Sequence, residues 1–317
     1  MTVCIAAMCS GPFIIGASDR MLTAGDIQFE PFSPKIHALT NSIVVMVAGD
    51  IGLQSMILQS IWEEIKQRLG KDPTTWLPVN DIAEMYRVAY NQERARQAEQ
   101  AILAPLGLST SSFITQQREL SPELVNQIAT ELLNFRTQSV EALVVGIDNS
   151  GSHIFVVNDG AVTCNDTIGF AAIGIGSWHA NSQLMFAGHS RLYELPETML
   201  VTYSAKRRAE VAPGVGKGTD MFMIGTQPGS YTPIRIDVLD ELMKIYNKSL
   251  GDEQRAAAKA RERITTYVDK IIQAATAQKQ VEQPKDSSGS PPAVETQPKN
   301  TPDTGGGESQ GSQEGKS

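Results

Sequence analysis

The chain opens Met-Thr-Val-Cys-Ile-Ala-Ala-Met, and its second residue offers the most distinctive chemistry in the sequence. Met1 precedes a small residue, so its excision is chemically reasonable and would make Thr2 the first residue. One residue would then carry both a hydroxyl and a free α-amine. An α-amine titrates near ~8 in ordinary surroundings, close enough to neutrality to accept a proton. A hydroxyl alone is a weak nucleophile, and an adjacent N-terminal amine is an established way to activate it. A strand that starts at the same point would hold the group in place, where a misplacement of about 1 Å is costly. Activation is then expected to require methionine removal rather than autocatalytic release of a long propeptide. A Met-Thr start also occurs in many chains without such chemistry, so the remaining sequence must carry the reading.

Other reactive patterns are thin. His37, His153, His179 and His189 show no clustered ligand spacing, and no metal centre is expected. The run Ala171–Ser177, AAIGIGS, lacks the dinucleotide fingerprint, and GVGKGTD at 214–220 lacks P-loop spacing, so no cofactor is expected. Cys4, Cys9 and Cys164 make an odd count without Cys-x-x-Cys spacing, which fits a reducing compartment, with Cys4 and Cys9 as packing residues. A net charge of -8 argues against nucleic acid or an anionic membrane as partner. Lys206-Arg207-Arg208 reads as a solvated helix end. No run of eighteen apolar residues is present, and the first residues lack a basic leader and are broken by CSGP and Asp19-Arg20. A cytoplasmic protein is expected.

The elements that must position Thr2 follow from periodicity. TVCIAAM and PFIIGAS, separated by CSG, read as a hairpin, and KIHALT and SIVVMVAG repeat the pattern around Asn41-Ser42. Locally paired short strands predict antiparallel sheet rather than βαβ units. Leu53, Ile57, Ile61, Ile65 and Leu69 then recur every four residues, a helix closed by Gly70. A second helix is predicted from about Asn80 to Ala104, with Ile82, Met85, Val88 and Ala89 facing inward. A third begins after Ser121 as cap, with Pro122 at its first position. Strands return at VEALVVGID and HIFVVND, joined by a turn at Asn149-Ser150-Gly151. FAAIGIGS leads into a helix through about Tyr193, and another helix runs from about Pro196 to Glu210. GTDMFMIG and TPIRIDVL read as late strands. A long helix over Leu239 to Ile272, broken near Gly251, completes the order. This alternation predicts an α+β fold, a four-layer αββα sandwich of two antiparallel sheets flanked by helices, over residues 1–280. Residues 281–317 are rich in Pro, Gly, Ser and Gln without aromatics and are expected to be a disordered tail.

The stretch TVCIAAMCSGPFIIGASDR, followed by PKIHAL and VVMVAGD, resembles the start of proteasome β-type subunits and their bacterial relatives in the N-terminal nucleophile (Ntn) hydrolase family. The resemblance covers most of residues 2–236, is weakest from about 95 to 137, where a helix is inserted, and implies the Ntn fold. It assigns Thr2 as nucleophile and proton-accepting amine, Lys35 as the cation that lowers their pKa, and Asp19 as the residue that orients Lys35. The Gly49 backbone N–H would face the oxyanion, where a fixed donor is worth several kcal/mol. The spacing from Thr2 to Asp19, Lys35 and Gly49 is longer by a single residue than the family's, a common offset that an extra residue near CSGP explains. FAAIGIGSWHANSQLMF matches the segment whose serine bonds the terminal amine, here Ser177, a residue that also suits a helix cap. In AKRRAEVAPGVGKGTDMFMI the acidic residue that best matches is Glu210. Pro213-Gly214 stands where the family has Ser-Gly, and proline offers neither a hydroxyl nor an N–H. Asp220 belongs to the following strand and is not assigned to the site.

The resemblance thus implies a threonine peptidase acting on peptides or unfolded protein as a homo-oligomer. A small-molecule amidase or acylase using the same nucleophile, and a catalytically inactive structural or regulatory subunit, are the alternatives. An ATPase partner cannot be read from these residues.

Overall fold

A computed structural model describes residues 2–24, 27–30, 35–70, 76–225 and 230–281. The first predicted hairpin forms as β1 (Cys4–Cys9) and β2 (Phe13–Asp19), turning through Gly11. A short ribbon, β3 (Leu22–Ala24) with β4 (Ile27–Phe29), follows and was not foreseen from the sequence. The second predicted pair forms as β5 (Ile36–Ala38) and β6 (Ile43–Gly49). Later come β7 (Val140–Asp148), β8 (Gly151–Asn158), β9 (Ala161–Cys164), β10 (Phe170–Ile173), β11 (Thr219–Ile224) and β12 (Thr232–Pro233). Two five-stranded sheets result, in the orders β10-β1-β2-β11-β12 and β5-β6-β7-β8-β9, with every neighbouring pair antiparallel.

Apolar side chains join the sheets. Cys4, Ala6 and Met8 of the first sheet share one core with Val44, Met46, Leu143 and Val145 of the second. Alternate residues point to opposite faces of a strand, so Val45, Ala142 and Val144 pack the other way. They meet α1 (Ile51–Leu69) and α2 (Val79–Ala98). On the far side of the first sheet, Val3, Ile5 and Ala7 pack against α5 (Ser177–Phe186) and α6 (Leu195–Ala209). The architecture is α+β with two antiparallel sheets, and these cores are compatible with a four-layer sandwich.

Local chemistry explains the helix ends. Asp50 caps α1 by accepting from the Leu53 N–H at 2.7 Å, and Gly70 ends it at φ 56°. Leu53, Ile57, Ile61 and Ile65 are buried as their spacing predicts. In α2 the inward set is Ile82, Met85, Tyr86, Ala89 and Tyr90, while Val88, expected inside, is exposed. The insertion contains more than one helix: α3 (Thr110–Gln116) and α4 (Pro122–Asn134) close over Leu103, Phe113 and Ile128. Ser121 caps α4 as expected, accepting from Leu124 N–H at 3.3 Å.

Three boundaries differ from expectation. α5 stops at Phe186 rather than near Tyr193, because Gly188 turns left-handed at φ 65° and its N–H closes on Met185. The late strand TPIRIDVL is strand only at Thr232–Pro233, and α7 (Ile236–Val281) takes over with Asp237 in its first turn. That helix continues through Gly251, where one glycine costs only about 1 kcal/mol relative to alanine. The chain divides into one compact unit through Glu253 and a second from Gln254. Residues 254–277, taken by themselves, are helical and exposed at every position. The expected tail lies outside the described residues from 282 onward. Among the described residues, no helix is long and apolar enough to cross a membrane.

Candidate active site

Thr2 lies two positions before β1, and the β1–β2 register, carried on to Val3, sets Asp19 beside it. The Asp19 N–H donates to Val3 carbonyl at 3.2 Å, and the Val3 N–H donates to Asp19 Oδ1 at 2.9 Å. Lys35 enters from the second sheet, just before β5, where its carbonyl accepts from Val47 N–H at 3.2 Å. Its Nζ reaches Asp19 Oδ1 at 2.7 Å and also donates to Thr2 Oγ1, while the Thr2 hydroxyl donates to the same Asp19 oxygen. Thr2, Asp19 and Lys35 are 2%, 0% and 6% exposed. A hydroxyl, a cation and an anion therefore meet where two sheets come together, shielded from water.

Asp19 is held on both oxygens. Its Oδ2 accepts from the Met21 N–H at 3.0 Å and the Gly216 N–H at 2.9 Å. Burial by itself would raise its pKa, but Lys35 and these donors outweigh burial and hold the carboxyl below its usual value. Asp19 is thus an anion at neutral pH, and Lys35 beside Thr2 Oγ1 favours charge developing on that oxygen. Met1, whose removal would free the terminal amine, lies outside the described residues.

The loop supplying Gly216 rests on a residue that sequence reasoning misassigned. Lys206 is 0% exposed, not part of a solvated helix end. Its Nζ donates to the Gly216 and Lys217 carbonyls, each at 2.9 Å, and to Glu210 Oε1 at 2.7 Å. Burial lowers its pKa, with Glu210 acting in the other direction. A chain of polar contacts so runs from Glu210 through Lys206 and the Gly216 backbone to Asp19. No sequence signal separated Lys206 from its basic neighbours, because which of three helix residues faces inward depends on what the helix packs against.

Thr2 opens onto a cavity of about 360 Å³. Gly49 and Ser177, both expected at the site, line it. Gly49 ends β6 at φ 109°, and a Cβ there would fall 2.1 Å from the Ser139 carbonyl oxygen, so this close strand crossing requires glycine. Gln54 of α1 fixes the same edge by donating to the carbonyls of Ala48 at 3.0 Å and Glu141 at 3.1 Å. Ser177 is the first residue of α5, and Gly176 occupies the cap position, so Ser177 does not cap the helix. Gly176 N–H donates to the Thr2 carbonyl at 3.2 Å. Gly174 adopts φ 84° where a Cβ would lie 2.4 Å from that same carbonyl oxygen. Glu141, unmarked in the sequence, also lines the cavity and accepts from the Gly174 N–H at 2.6 Å.

Glu210 is not brought to Thr2. Its carboxylate pairs with Lys206 and, at 3.1 Å, with Arg207, which makes it an outer support of the Gly216 loop. Pro213 is exposed in the turn after α6, and three residues on Gly216 donates its N–H to Asp19. Asp220 pairs with Arg20 at 2.5 Å, apart from the Thr2 cluster, in keeping with its place on β11.

The chain matches no protein-family model and no curated protein. Among the described residues, no group of three metal-ligating side chains is placed to hold an ion.

Proposed function

We propose that this chain is a threonine-dependent hydrolase of peptide bonds, built on an Ntn-type αββα framework and working within a homo-oligomer. One observation carries the reading: Thr2, whose Oγ1 bridges the buried Asp19–Lys35 ion pair, lines a cavity. Burying two charges is costly, and a purely structural core would gain as much from apolar packing. Charges retained around a hydroxyl in a cleft are what nucleophile activation requires.

With Met1 removed, the Thr2 α-amine accepts the hydroxyl proton as Oγ1 attacks the substrate carbonyl carbon. Lys35 stabilises the developing negative charge on Oγ1, and Asp19 balances Lys35. The carbonyl oxygen becomes an oxyanion that the Gly49 N–H is proposed to receive, and Ser177 is proposed to hold the amine. Collapse breaks the C–N bond, the ammonium returns its proton to the departing amine, and an ester on Thr2 remains. Water, deprotonated by the same amine, hydrolyses the ester and restores the hydroxyl.

Intact mass spectrometry of the assembled protein, with and without an epoxyketone peptide, tests this. The expected result is a native chain lacking Met1, labelled once, with labelling abolished in Thr2→Ala. Retention of Met1 in assembled protein, or labelling that persists in Thr2→Ala, overturns the proposal.

A further inference from the structure

Resting on the hydrolase reading, we propose that Glu141 is a specificity-determining residue that selects substrates with a cationic side chain next to the scissile bond. Glu141 lies on β7 directly across from Ala48, one position from Gly49, and its side chain lines the cavity onto which Thr2 opens. Both carboxylate oxygens are held by neutral donors. Oε2 accepts from the Gly174 N–H at 2.6 Å and Oε1 from Asn158 Nδ2 at 3.1 Å. The carboxylate is therefore fixed in place with its charge uncompensated, since no lysine or arginine of the described residues forms an ion pair with it.

The rest of the cavity does not supply the missing cation. Ser139 and Ser177 contribute only neutral hydroxyls, and behind Thr2 the charges of Lys35 and Asp19 cancel each other. The α-amine gains a positive charge as it takes the hydroxyl proton, and the oxyanion formed in the same step offsets that charge. On the same cavity stands Trp178, 84% exposed. An indole face attracts a cation through its quadrupole, and a nearby carboxylate adds direct Coulomb attraction. A lysine or arginine side chain fits both, whereas an acidic side chain would face an unscreened like charge.

Glu141 also holds the Gly174 turn against Thr2, so truncation would disturb the nucleophile as well as the charge. Glu141→Gln separates the two effects: its amide oxygen still accepts from Gly174, and the Asn158 amide can turn to accept from the new NH2. Trp178→Leu removes the indole at an exposed position where folding is not at stake.

The test uses the full chain and internally quenched peptides that differ only by lysine, norleucine or glutamate at each residue flanking the scissile bond. Wild type is expected to favour lysine over its uncharged near-isostere norleucine by about tenfold or more in kcat/KM and to discriminate against glutamate. Whatever happens to the overall rate, that ratio should approach one in Glu141→Gln and fall in Trp178→Leu. Wild type that cleaves the norleucine peptide with no lysine preference, or variants that keep the wild-type ratio, overturn the inference and leave the hydrolase reading standing. Wild type that cleaves none of the peptides and takes no label at Thr2 overturns both.

Discussion

The Asp19 carboxylate and the Lys35 ammonium stand 2.7 Å apart, each almost fully buried, and they arrive from different sheets. Asp19 ends β2 of one sheet, while Lys35 precedes β5 of the other, so the pair forms only when the two sheets pack. Thr2 bridges both, and the reactive geometry is tied to the tertiary fold rather than to any single hairpin.

Removing one partner leaves the other as an uncompensated buried charge. Lys35→Met should lower stability by about 3–5 kcal/mol and abolish hydrolysis. Urea denaturation alongside peptide turnover checks this. An unchanged midpoint would mean that Asp19 finds another compensating group.

The pH dependence follows from Asp19. Its folded pKa is depressed below the unfolded value of about 3.9. The unfolded chain therefore binds the proton first as pH falls, and the Asp19 contribution to stability is present above about 3.9 and lost as pH drops through the folded value. The stability difference between wild type and Asp19→Asn should be flat from neutrality to about pH 5, then shrink in more acid solution. A difference that grows on acidification would contradict this sign.

Gly49→Ala puts a Cβ 2.1 Å from the Ser139 carbonyl oxygen at a φ of 109°. The strand end must shift, at a cost of about 1–3 kcal/mol. Because the Gly49 N–H is the proposed oxyanion donor, turnover should fall by a factor of about 100 or more, beyond any loss of folded protein. Thermal melts measured together with kcat separate the two effects. A variant with full activity would remove Gly49 from the mechanism.

Lys206→Met removes the ammonium from the Gly216 and Lys217 carbonyls and leaves Glu210 paired with Arg207 alone. Backbone hydrogen exchange at 214–218 should accelerate, and hydrolysis should slow because Gly216 no longer holds Asp19. Lys206→Arg should restore little, since a planar fork does not replace a compact ammonium with three acceptors around it. Unchanged exchange in the loop would show that Lys206 does not hold it.

How much of the site was legible depends on the range of the interactions. Thr2, Asp19, Lys35 and Gly49 were visible as an ordered set near the start of the chain; the structure brings Asp19 and Lys35 into contact with Thr2, and Thr2 and Gly49 line one cavity. The spacing of Leu53, Ile57, Ile61 and Ile65 gave the buried face of α1, because a helix repeats its facing direction on a fixed period. Val88 was misread because α2 turns its other flank, carrying Tyr86 and Tyr90, to the core.

The sequence by itself determined the β1–β2 and β5–β6 hairpins, the buried face of α1 with its closing Gly70, and the Ser121 cap of α4. These depend on neighbours within a few residues. Only the tertiary structure decided that Gly216 would donate to Asp19 across 197 positions, that Lys206 would be buried behind it, and that Glu141 would face the cavity. Each of those contacts exists because two sheets and a helix converge there, and no local pattern records which distant backbone a buried charge will meet.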